Sequence, residues 1–249
     1  MRGAAEVRTQ GPRRHGFTLI EILLAVSLLA MVTTVTYLAF STMVKAWQRG
    51  TAMVDSLHHG DFVMDQLAMA IRSTYYPDSG GNATRYGYHL KNEGEGDETS
   101  DVLSWVKLGS ALVGDDAPYA GTPHRVEFYV DADEHGDRGA YVKGWRLDGQ
   151  SEDFDPEEDV EPVLISREVT GFNLRTLSPD DINEEREFDW QDEWEYTNDL
   201  PLAVELTLFV RPQGGESAEA TEMKRIVQVP VAYLCQPWVK TGAPNPLSD

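Results

Sequence analysis

Glu21 is a carboxylate at the head of 23 consecutive uncharged residues, Ile22 to Val44. In an apolar helix such a charge costs on the order of 2.5 to 3.5 kcal/mol at the centre of a membrane and somewhat less near its surface. A carboxylate kept there needs a cationic partner, so ion pairing is the chemistry it offers. The other candidates are weaker. Asp131, Asp133 and Asp137 open like a D-x-D-x-x-G calcium loop, but His135 stands at the fifth position and Val142 at the twelfth, where a bidentate Glu is required. An acidic hairpin turn between two strands explains the segment more simply, with calcium as the alternative. The run from Glu152 to Asp159 reads as a solvated loop. His58 and His59 have no matching ligand cluster nearby, and a solvent-facing or interface role suits them better than metal. No nucleophile with a base, Gly-rich phosphate loop or zinc-spaced His and Cys set occurs. Asp180-Asp181 and Glu184-Glu185 lack the apolar setting that would hold one acid protonated. The sequence therefore predicts no catalytic residue, no enzyme activity and no cofactor beyond the calcium alternative.

The elements that position these residues follow from patterning. At roughly 1.5 Å per residue, Ile22 to Val44 spans about 34 Å, enough to cross a hydrocarbon core of about 30 Å. Arg2, Arg8, Arg13 and Arg14 precede it, which holds that end in the cytoplasm and puts the body outside. A secretory signal peptide would have a shorter apolar stretch ending in a small-residue cleavage site, and a plain anchor has no use for Glu21. Beyond Lys45, Trp47, Val54, Leu57, Phe62, Leu67 and Ile71 alternate with charges, predicting an amphipathic continuation over 45–76, ended by Tyr75-Tyr76-Pro77. Gly50 and Gly60 are weak points in it, each costing about 1 kcal/mol relative to Ala. Residues 78–100 read as an exposed loop. Seven strand candidates follow: Val102 to Leu108, Arg125 to Val130, Ala140 to Leu147, Val163 to Glu168, Thr170 to Thr176, Ala203 to Val210 and Lys224 to Tyr233. A helix and then strands without βα alternation predicts an α+β fold with a mainly antiparallel sheet. The formal charge of −21 argues against binding a phosphate backbone, so no nucleic acid partner is expected. Cys235 is the only cysteine, which excludes an intrachain disulfide.

Gly16-Phe17-Thr18-Leu19-Ile20-Glu21, preceded by Arg13-Arg14-His15, resembles the processing site of type IV pilins and of the pseudopilins of type II secretion. The resemblance implies that a membrane-embedded prepilin peptidase cuts between Gly16 and Phe17 and methylates the new amino group of Phe17. It implies a pilin-like fold, with the long helix packed on the β-rich body. It also divides the chain into a cleaved leader (1–16), a transmembrane and filament-core helix (17–44), the amphipathic half (45–76), a periplasmic pseudopilin domain (77–240) and a flexible tail (241–249). Loss of the leader, which carries four arginines and Glu6, takes the formal charge from −21 to −24. In a stack of such helices, Glu21 of one subunit can meet the Phe17 ammonium of a neighbour, removing the cost of two isolated charges and setting the axial register.

The second half is similar to the J-type minor pseudopilin of type II secretion. The similar stretches are Ile165 to Arg175, Trp190 with Trp194, Leu200 to Leu208 and Ile226 to Ala232; the segments 78–100 and 148–160 fall outside the likeness. The resemblance implies a single-pass inner-membrane protein assembled into a periplasmic pseudopilus, whose partners are I- and K-type minor pseudopilins, the major pseudopilin and prepilin peptidase. Its tip complex would initiate the filament that exports folded proteins. A W-type minor pilin of a type IV pilus, acting in adhesion or motility, shares the helix and much of the strand pattern. A free-standing sensor or competence pilin is a third reading, without a pocket signature in the sequence. Trp190 and Trp194 lie in an acidic stretch as a partner-facing aromatic patch or as strand-edge packing, and nothing in the sequence separates the two.

Overall fold

A computed structural model describes residues 16–77, 83–178, 188–194, 200–212 and 219–235. The leader up to His15, Asp180-Asp181, Glu184-Glu185 and the tail 241–249 lie outside the described residues, as does the side chain of Cys235. The chain divides into two units, Met1–Gly50 and Thr51–Asp249. Helix α1 (Leu19–Arg72) contributes to both.

In the first unit α1 exposes almost every side chain, apolar ones included. Its hydroxyls are satisfied within the helix, as Thr33 Oγ1 donates to the Leu29 carbonyl at 2.7 Å and Thr36 Oγ1 to Val32 at 2.8 Å. That back-bonding lets Ser and Thr sit in an apolar helix without a buried polar debt.

In the second unit α1 buries one stripe, including Ser56, Gly60, Val63, Met64, Leu67 and Ile71, at the three- and four-residue spacing of a single helical face. Leu67 and Ile71 lie on that face as expected. Trp47, Val54 and Phe62 are exposed instead. Gly60 does the opposite of what its low helix propensity suggests, because a Cβ there would stand 2.6 Å from Val210 Cγ2 and 2.7 Å from Met223 Sδ. The missing side chain is what lets the helix approach the sheet. The helix ends at Arg72, four residues short of the predicted boundary. The Ser73 and Thr74 hydroxyls donate back to the Ala70 and Ile71 carbonyls, and Tyr75 N–H then donates to the Val106 carbonyl at 2.9 Å. Edge pairing captures the chain before Pro77 is reached.

Two antiparallel sheets complete the body. The first has the order β1-β2-β3-β4-β5: β1 (His89–Lys91), β2 (Val102–Lys107), β3 (His124–Ala132), β4 (Arg138–Arg146) and β5 (Val163–Ser166). The second has the order β6-β7-β8: β6 (Val169–Leu177), β7 (Ala203–Val210) and β8 (Thr221–Gln228). The seven predicted strands are all present, and the fold is α+β, a long N-terminal apolar helix followed by an antiparallel body. The sheets meet where Phe172 N–H donates to the Thr99 carbonyl and Asp101 N–H to the Phe172 carbonyl, at 2.9 and 3.0 Å. Phe128 and Phe172 pack edge to face at 4.9 Å between ring centres. Asp101, fully buried, accepts from Leu174 N–H at 2.8 Å and Glu93 N–H at 3.1 Å.

Three loop or boundary expectations are corrected. Among residues 83–100, helix α2 (Ala83–Tyr86), strand β1 and a 3-10 turn (Gly96–Glu98) replace an exposed loop. Tyr88, buried, shares a hydrogen bond with Thr74 Oγ1 at 2.8 Å and so ties the segment to the core. The acidic run 152–159 is exposed but includes helix α3 (Pro156–Asp159), capped by Asp155 accepting from Glu157 N–H at 2.9 Å. The last strand closes at Gln228 rather than Tyr233: Val229 N–H still donates to the Leu202 carbonyl, the next rung of the β7–β8 register, but Pro230 has no N–H to carry the ladder on, and a 3-10 turn (Ala232–Cys235) follows.

Candidate functional site

Gly16 and Phe17 precede the helix in non-helical backbone, and both are exposed, Phe17 to 80%. Nothing comes within 4 Å of a Cβ placed on Gly16. Thr18 caps the helix. Its carbonyl accepts from Glu21 N–H at 3.1 Å and from Ile22 N–H at 3.2 Å, and its Oγ1 accepts from Glu21 N–H at 3.3 Å. Thr-x-x-Glu is the spacing of a capping box, so the segment Thr18 to Glu21 starts the helix as well as carrying a carboxylate. The helix N-terminus favours negative charge in its first turn, and Glu21 is the acidic residue there. It has no cationic partner among the described residues. The arrangement leaves an accessible Gly-Phe peptide bond, a capped helix start and an unpaired carboxylate one turn into it. Among the described residues, α1 holds the one stretch long and apolar enough to cross a membrane.

The other predicted positions separate. His58 and His59 are exposed, with His59 Nδ1 3.9 Å from Glu168 Oε2. Trp194 is buried in the core at 9% exposure, which assigns it to packing and corrects the partner-facing reading, while Trp190 is half-buried. Beside them Gln191 exchanges backbone hydrogen bonds with Thr176 on the free edge of β6. Asp131, Asp133 and Asp137 fall in the hairpin joining β3 to β4. Asp133 Oδ1 accepts from the N–H groups of His135 and Asp137 at 2.9 and 3.0 Å, and its Oδ2 from Arg167 Nη1 at 3.2 Å. These bonds hold its carboxyl below the usual range, the two backbone donors first. Asp133 thus works as the organiser of a turn.

One buried group was not singled out by the sequence reading. Lys107, fully buried at the end of β2, approaches His124 Nε2 at 3.2 Å and donates to the Gly109 carbonyl, with no carboxylate paired to it among the described residues. His124 Nδ1 lies 2.8 Å from the Thr122 carbonyl, which fixes the proton on Nδ1 and leaves Nε2 to accept from Lys107. Burial pushes the Lys107 ammonium down to about 8 and lowers His124 as well. The periodicity of β2 marks position 107 as inward but says nothing of its partner.

Residues 11–37 match the family model of the prokaryotic N-terminal methylation motif. The match takes in the Gly16–Phe17 bond, the Thr18 cap, Glu21 and the first part of the apolar helix. It supports a type IV pilin-like protein, pilin or pseudopilin, and with the helix a membrane-anchored one. No match to the chain is found among curated proteins.

Proposed function

We propose that the chain is a J-type minor pseudopilin of a type II secretion system, cut between Gly16 and Phe17 and methylated on the Phe17 amine. One observation carries the reading. An exposed Gly-Phe bond, a capped helix start and a lone carboxylate coincide at the head of an exposed apolar helix, within the stretch that matches the methylation motif. Once Phe17 is the first residue, each subunit carries an ammonium and, four residues on, the Glu21 carboxylate. Each charge is costly in an apolar filament core, so cross-pairing between neighbours is the arrangement that relieves both. The body stands in the periplasm and binds I- and K-type minor pseudopilins at the filament tip, above the major pseudopilin. The chain catalyses nothing and needs no cofactor. The J-type assignment is favoured by the segments Ile165 to Arg175 and Leu200 to Leu208, which overlap the paired strands β6 and β7.

The test is the intact mass of the protein expressed with and without prepilin peptidase, with Glu21→Ala carried in parallel for co-purification with I- and K-type subunits. A product beginning at methylated Phe17 that retains those partners, and loses them in Glu21→Ala, is expected. An uncut precursor overturns the filament reading. Cutting without those partners moves the protein to a W-type minor pilin.

A further inference from the structure

The register of the second sheet stacks three cross-strand rows on the face turned away from α1: Gly171–Phe209–Glu222, Asn173–Thr207–Lys224 and Arg175–Glu205–Ile226. A face this polar would ordinarily be washed by solvent, yet Thr207 is only 4% exposed and Glu205 7%. The reason is the loop before β2. The Asp97 carbonyl would lie 2.6 Å from a Cβ on Gly171, a contact only glycine allows, and Asp97 Oδ2 accepts from Arg211 Nη2 at 3.0 Å. The loop is thereby held against this face, and Asn92 Nδ2 reaches the Asp192 carbonyl at 3.5 Å. Between loop and sheet lies a pocket of about 440 Å³, within the roughly 300 to 1,000 Å³ typical of small-molecule sites.

Its chemistry is specific. Thr207 Oγ1, on a side chain more than nine-tenths buried, and the Asn173 amide line the pocket, and neither side chain has a hydrogen-bond partner among the described residues. Thr207 Oγ1, on a buried side chain, and the half-buried Asn173 amide are thus both open to an occupant that offers donors and acceptors together. The charges nearby are already compensated. Lys224 pairs with Glu222 at 3.2 Å and lies 3.7 Å from Glu205, which also accepts from Arg175. An anion would find no free cation there and would meet the field of a chain of formal charge −21. No group of His, Cys, Asp or Glu suited to a metal ion occurs among the described residues.

We propose that this pocket binds an uncharged saccharide of one or two hexose units. Thr207, Asn173 and Asn92 exchange hydrogen bonds with its hydroxyls, and Phe209 supplies the apolar contact. The inference stands independently of the filament reading, since it uses only the second sheet and the loop over it.

The test is ligand-observed NMR on the full-length protein in a detergent without a sugar headgroup. The probes are glucose, galactose, N-acetylglucosamine and their β-linked dimers, with inorganic phosphate and a lysine-rich peptide as contrasting arms. Wild type is expected to bind at least one of the saccharides. Thr207→Val, which keeps the shape and removes the hydroxyl, is expected to weaken that binding by roughly two- to tenfold, the scale of one net hydrogen bond. Thr207→Ser is expected to retain it. Asn173→Ala, at a half-buried position, gives the same readout if the valine variant does not fold. No saccharide binding by wild type, equal binding by Thr207→Val and wild type, or binding of phosphate or the peptide in place of the sugars overturns the proposal.

Discussion

Gly60→Ala sets two terms of opposite sign against each other. Within α1 the change gains about 1 kcal/mol of helix propensity. The added Cβ would meet Val210 Cγ2 at 2.6 Å and Met223 Sδ at 2.7 Å, where ordinary contacts lie at 3.4–4 Å. Met223 can swing its thioether aside. Val210 cannot move as easily, since it is β-branched, 1% exposed and set at the end of the central strand β7. Overpacking of this kind costs about 1 to 3 kcal/mol, so the net effect is a loss of about 1 kcal/mol, or roughly 2 to 4 °C in Tm for a body of this size. Val210→Ala removes the methyls at 2.6 and 3.5 Å. In that background the same Gly60→Ala change should be neutral or stabilising, giving a coupling energy of about 1 to 2 kcal/mol in a double-mutant cycle. Urea unfolding of the four proteins, followed through the fully buried Trp105, measures it. If Gly60→Ala stabilises the wild-type background as much as the Val210→Ala background, the close-approach argument is refuted.

Burial raises the carboxyl of Asp101 above its ordinary 3.8, against the opposing pull of its hydrogen bonds. A folded-state value above the unfolded one means that this group adds stability as pH falls through the raised value, fully so below 3.8, and withdraws it as pH rises. Asp101→Asn should therefore remove that low-pH stabilisation, so that stability falls more steeply with acid than in the wild type, and cost about 1 to 3 kcal/mol at neutral pH, where one backbone N–H loses its acceptor; unfolding midpoints from pH 3.5 to 7 report both. Lys107 has the reverse sign for a base. Its folded value near 8 lies below the ordinary 10.5, so its contribution is present above 10.5 and is lost as pH falls through 8. Lys107→Met should remove that rise between pH 8 and 10.5, read as the difference between the wild-type and variant melting curves.

Much of this was legible from the chain alone. Uncharged length fixes Ile22 to Val44 as a membrane-length helix, because hydropathy and rise per residue are local quantities. The capped start at Thr18 is equally local, a short-range hydrogen bond written in the spacing Thr-x-x-Glu. The alternation in β2 to β8 is local too, so the seven strand candidates and the α+β class could be read directly, although the last strand closes earlier because Pro230 interrupts the ladder. Strand β1 escaped because three residues carry too little period to stand out and its pairing depends on β2, distant in sequence.

What only the tertiary structure decided were relations between distant residues. Phe62 looks like a core residue and is exposed, whereas Gly60 looks like a flaw and is the contact point, since which face of an amphipathic helix is buried depends on the sheet it meets. Trp194 was undecided until the free edge of β6 drew its neighbour Gln191 into pairing. The row Asn173–Thr207–Lys224 joins residues 34 and 17 positions apart, and the pocket above it closes only because Gly171 admits a loop from before β2. Sequence determines propensity and period. Register and the approach of one element to another are set by packing, which no local pattern records.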